Sequence, residues 1–80
     1  MSPPARVRIT FPDHLITEPI IGRLAKQFEV LPNIRTASIG DTSAIMLCEL
    51  DGERPQVDAA IAWLRDQGVR VDLLGDVVES

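Results

Sequence analysis

The chain has 80 residues, 45% of them hydrophobic and 25% charged, with a formal net charge of −4 at pH 7. A chain of this length buries only roughly 60% of its unfolded surface, which supports one core and excludes a second domain. Interspersed charges of acidic balance argue against a nucleic-acid partner, and one cysteine, Cys48, excludes a disulfide framework or a multi-cysteine metal or cluster site.

Residues 1–5 read as a disordered lead-in, because Pro3 and Pro4 have no N–H for a ladder; order is expected from Arg6. The start MSPPARVRIT lacks the apolar run of a secretory signal, and no hydrophobic stretch approaches the roughly 20 residues that span a bilayer. A soluble, cytoplasmic protein without membrane insertion is expected. Val7, Ile9 and Phe11 alternate with Arg6, Arg8 and Thr10, the period-2 pattern of a first strand. Pro12-Asp13-His14 breaks it. Thr17 is placed to cap a helix whose stripe is Ile20, Ile21, Leu24, Ala25 and Phe28.

Leu31-Pro32-Asn33 is a second punctuation, followed by an edge strand over residues 34–39 and a turn at Gly40-Asp41. The run AIMLCEL, residues 44–50, predicts a central strand buried on both faces. Asp51-Gly52 turns the chain. Pro55 suits a first helical turn, Val57, Ala60, Ile61 and Leu64 recur at helical spacing, and Gly68 marks a positive-φ exit. Val69, Val71 and Leu73 then alternate with Arg70 and Asp72 as a last strand, and residues 76–80 form a tail.

The order βαββαβ predicts an α+β, ferredoxin-like sandwich: a four-stranded antiparallel sheet with both helices on one face, the first and third strands central. Arg6, Arg8, Thr10, Ile45, Leu47 and Glu49 should then share the uncovered face, a half-apolar surface suited to contact with another chain.

Little in the chain advertises catalysis. His14 is a lone histidine beside Asp13, with no cluster at ligand spacing, so a solvated loop is expected and no metal. Trp63 falls at the margin of its helical stripe and should pack at the core edge, near Ala59 or Ala60. No G-x-x-x-x-G-K-S/T run occurs, so the chain cannot hydrolyse ATP unaided. Neither an enzyme nor a cofactor is expected.

The segments VRITF, EPIIGRLAKQF, VLPNI, AIMLCELDG and AAIAWLRDQGVRVDLLG, in that order and spacing, resemble the NIL domain. This is a small module at the C-terminus of the ATPase subunit of bacterial methionine-importing ABC transporters. The resemblance covers most of residues 6–75. It implies a ferredoxin-like fold that pairs with a second copy and binds methionine at or near the pairing surface, reporting intracellular methionine and inhibiting import. NIL domains are also fused to iron-sulfur ferredoxin modules in sulfur amino-acid metabolism.

By the same resemblance, Asn33 before Ile34 matches the asparagine associated with amino-acid binding. Arg35 and Thr36 continue the strand where members vary, Met46 and Leu47 match central-strand apolar positions, and Gly52 and Gly75 match turn glycines. Ala44 stands where the family usually has glycine, and the connection IGDTSA is shorter than in many members. The expected function is a regulatory or sensor domain, a homodimer binding methionine or a related sulfur compound and modulating a transporter or sulfur-metabolism partner. Asn33, Ile34, Arg35, Leu15 and Met46 are the expected ligand residues. A ligand-free module that assembles with a transporter or redox enzyme is the alternative.

Overall fold

In a computed structural model, which describes residues 3–75, the chain runs β1 (Ala5–Pro12), a 3-10 turn (Asp13–Leu15), α1 (Ile20–Gln27), β2 (Val30–Ile39), β3 (Ser43–Gly52), α2 (Arg54–Asp66) and β4 (Arg70–Leu73). One antiparallel sheet has the strand order β2-β3-β1-β4, so β1 and β3 are central, as the ferredoxin-like reading expects. Met1, Ser2 and the expected tail 76–80 lie outside the described residues.

The periodicities explain the layers. Val7, Ile9 and Phe11 of β1 meet Ala44, Cys48 and Leu50 of β3 and Val69 and Val71 beside β4, all buried in one core. Over them lie Ile20 and Leu24 of α1 and Val57, Ala60, Ile61 and Leu64 of α2. No helix among the described residues is long and apolar enough to cross a membrane.

The exit of α2 is a Schellman motif. Gly68, at φ 99°, donates to the Arg65 carbonyl (3.1 Å), Val69 donates to Leu64 (3.3 Å), and the buried Val69 and Leu64 supply the apolar contact that accompanies it. Gly52 needs no positive φ but is held against β2: a Cβ there would lie 2.6 Å from the Glu29 carbonyl oxygen.

Several expectations are corrected. β1 begins at Ala5, one residue before the expected strand start at Arg6. Pro32 and Asn33 do not punctuate but lie within β2, Pro32 opposite Leu50, because an edge strand tolerates a missing N–H on its outer side. Thr17 does not cap α1; Pro19 is the N-cap residue, without a side-chain cap bond, and Arg23 N–H donates to the Pro19 carbonyl. Ala25 faces solvent. β3 is buried on one face only, since both helices lie on that side and leave Ile45 41% exposed. Leu73 is 60% exposed, at the end of β4, where it borders a groove beside Val57 and Ile61. Trp63 packs at the core edge as expected, half-buried, and meets Phe28, the residue that caps the end of α1, edge-on with ring centroids 6.0 Å apart.

Cys48 sits on the helix side of β3, and burial, with the Glu49 carboxylate adding to it, pushes its thiol up to about 11 from 9.0. Below pH 9 folded and unfolded chains both hold the proton; above it the unfolded thiol ionises first, so stability falls from pH 9 until the folded thiol itself ionises near 11. Maleimide labelling of native protein near neutral pH is expected to be about 100-fold slower than in denaturant, because the thiolate is the nucleophile and the sulfur is covered. Equal rates would show an accessible thiol.

Candidate functional site

The register decides which side chains share a face. On the side of the sheet away from the helices, Arg6 of β1 is opposite Glu49 of β3, and Glu49 is opposite Asn33 of β2. Just beyond, Ile34 pairs with Cys48 while Thr36 pairs with Leu47, so Arg35 is an extra residue in a β-bulge. The bulge turns Arg35 toward the open face, where its guanidinium reaches Glu49 (3.8 Å) from one side while Arg6 reaches it from the other (3.9 Å). Both distances exceed hydrogen-bond length, so the carboxylate and the two guanidiniums retain donors and acceptors for a further group.

A hollow of about 190 Å³ adjoins this row, lined by Arg6, Arg35 and Glu49 with Leu47 and Leu74 as apolar wall. The neighbouring charges are more tightly paired. Asp72 accepts from Arg70 (3.2 Å) and Arg8 (3.4 Å); desolvation raises its carboxyl, and the bonds and charges of Arg70 and Arg8 outweigh that and hold it below the usual carboxylate value.

The other face carries a second concavity. A groove of about 240 Å³ runs between the start of α1 and the β2-β3 hairpin, lined by Phe11, Ile16, Ile20, Ala37, Ile39 and Met46 among others. It is apolar, with Glu18 its only charged lining residue, and it is open beyond Ala37 and Ile39, which α1 does not cover. A third groove, about 300 Å³, lies where residues 3–6 and 73–75 pass the start of α2.

The expected ligand residues thus divide. Asn33 and Arg35 come together with Glu49 on the open face. Met46 and Ile34 project from the helix side, Met46 into the apolar groove and Ile34 half-exposed near the β2 edge. Leu15 packs on the margin of the core away from β2, near Gly68 at the exit of α2. Glu49 and Arg6 were read from the sequence as face residues without a binding role; only the strand register, which puts them in line with Asn33, reveals the cluster. Among the described residues there is no group of three or more side chains suited to a metal ion.

A family model described as NIL domain matches residues 5–72. Methionine import ATP-binding protein MetN 1 of Salmonella typhimurium is 36% identical over 75 residues, covering 89% of this chain and 22% of the relative. Methionine import ATP-binding protein MetN of Escherichia coli K12 is 35% identical over the same shares. The chain therefore spans only 22% of the length of these relatives. The crystal structure of the C-terminal domain of an ABC transporter/ATP-binding protein from Enterococcus faecalis superposes with a TM-score of 0.79 at 25% identity, covering 91% of this chain and 86% of that one.

Proposed function

The chain belongs to the NIL domain family, and on that premise we propose that it is a regulatory module that binds methionine or a related sulfur-containing amino acid. It acts by binding and not by catalysis, as a homodimer, and passes its occupancy to a methionine-importing ABC transporter or a sulfur-metabolism partner. The names of its relatives favour methionine; the open-face cluster carries the reading. A free amino acid brings an ammonium and a carboxylate, each of which must be paired to leave water. Glu49 offers a carboxylate to the first and Arg6 and Arg35 offer guanidiniums to the second, and the Asn33 amide can donate and accept. Leu47 and Leu74 give the thioether an apolar wall.

Calorimetric titration of wild type and Asn33→Ala with methionine tests this. Asn33 is exposed and precedes the bulge, so the variant should fold normally and lose about tenfold in affinity, the worth of one hydrogen bond of about 1.4 kcal/mol. Equal affinities would move the site away from Asn33. No heat from wild type with any sulfur amino acid would favour the ligand-free assembly module, the reading that the exposed Leu31 and Ile39 support.

A further inference from the structure

We infer that the open face of the sheet is a docking surface for an acidic segment of a partner protein, held by a band of arginines that crosses all four strands. The band consists of two like clusters. Glu49 of β3 stands between Arg35 of β2 and Arg6 of β1, and Asp72 of β4 stands between Arg8 of β1 and Arg70 of its own strand. Arg6 and Arg8, two residues apart on β1, set the clusters side by side on one face. Each cluster has two cations for one carboxylate. The carboxylates are also the covered partners: the side chains of Glu49 and Asp72 are 21% and 27% exposed, against 47% to 74% for the four arginines.

What the band presents outward is therefore guanidinium, two positive charges in excess, in a chain whose formal net charge is −4. Asp51, the next acid on this side of β3, lies near the end of the strand opposite Leu31 and makes no ion pair among the described residues. Exposed ion pairs contribute little to folding, so the surplus charge is left for another molecule.

Charge complementarity sets the sign of the occupant, and the rest of the face sets its class. Leu47 lies opposite Arg8, and the exposed Ile45 follows on the same side of β3, opposite Thr10. Apolar side chains bordered by arginine are the composition of a protein interface. Nucleic acid would meet the same arginines, but its bases need aromatic rings to stack on, and Phe11, Phe28 and Trp63 all pack with the core on the helix side. Each guanidinium can hold a carboxylate through two parallel bonds. A segment with aspartate or glutamate on either side of an apolar residue thus matches the band. The docking goes beyond the amino-acid reading and stands without it; one consequence rests on that reading. A bound α-carboxylate takes Arg6 and Arg35, so ligand and partner compete, and occupancy is passed on as weaker docking.

Fluorescence anisotropy of a short rhodamine-labelled peptide of glutamates and leucines, titrated with the chain, tests the docking. Wild type is expected to bind the peptide although both are acidic, and to bind it more weakly as salt rises. Arg8→Gln/Arg70→Gln, at exposed positions outside the proposed amino-acid site, should weaken binding about 30-fold or more with circular dichroism unchanged. Arg23→Gln/Lys26→Gln, which removes as much charge from the exposed side of α1, should leave it intact. No binding by wild type, a peptide indifferent to Arg8→Gln/Arg70→Gln, equal loss in both double variants, or tighter binding of an oligothymidylate of the same charge, overturns the inference. Saturating methionine separates the two ideas. Methionine that gives heat but leaves the peptide bound overturns the competition and spares both sites, whereas docking that is sensitive to Arg8→Gln/Arg70→Gln, in a chain silent to methionine, upholds the docking alone.

Discussion

Leu64→Ala is expected to cost about 3 to 4 kcal/mol of folding stability. The side chain is fully buried between α2 and the sheet, and its truncation removes methylenes from a core that collapses only partly around the gap. It also sits at the position of α2 whose carbonyl accepts from Val69, so the lost packing falls where the helix hands over to β4 and Gly68 holds its positive φ. A domain of this size has a total stability on the order of 4 to 12 kcal/mol, so the loss is a large share of it. Urea denaturation at constant slope measures it. A change under about 1 kcal/mol would mean that α2 does not pack as described.

Glu49→Ala should do the reverse, with a large effect on the ligand and a small one on the fold. Its ion pairs to Arg6 and Arg35 are long, and both arginine side chains are mostly exposed, so their combined contribution to stability is under about 1 kcal/mol. In the proposed complex, however, Glu49 accepts the ligand ammonium and holds the two guanidiniums on either side of the hollow. Losing a charge-assisted bond of about 2.7 kcal/mol weakens methionine binding about 100-fold. Titration calorimetry beside a thermal melt reads both quantities. Unchanged affinity would remove the open-face cluster as the amino-acid site, and a collapsed melt would show that Glu49 is structural.

These two residues differ in how legible they were. Leu64 recurs at helical spacing with Val57, Ala60 and Ile61, and a buried stripe follows from that periodicity alone. Glu49 sits in the run AIMLCEL, which carries no sign of a site; its neighbours Asn33 and Arg6 are 16 and 43 positions away in the chain. Resemblance to the family marks Asn33, with Arg35 following at a position where members vary, but whether they share a face with Met46 is not readable from the sequence, because a bulge at Arg35 changes the parity of β2 and a bulge is defined only by the partner strand.

The same division runs through the fold. Local periodicity, the Pro55 start and the Gly68 exit of α2, and the order of elements were determined by the sequence itself, because each reflects the conformational preference of a few neighbouring residues. The survival of Pro32 inside β2, the exposure of Leu73 and Ile45, and the meeting of Arg6, Glu49, Arg35 and Asn33 were decided only by the tertiary structure. Each depends on what lies across the sheet or above it: an edge that spares a missing N–H, a helix layer that covers one face, and a register that sets distant residues side by side.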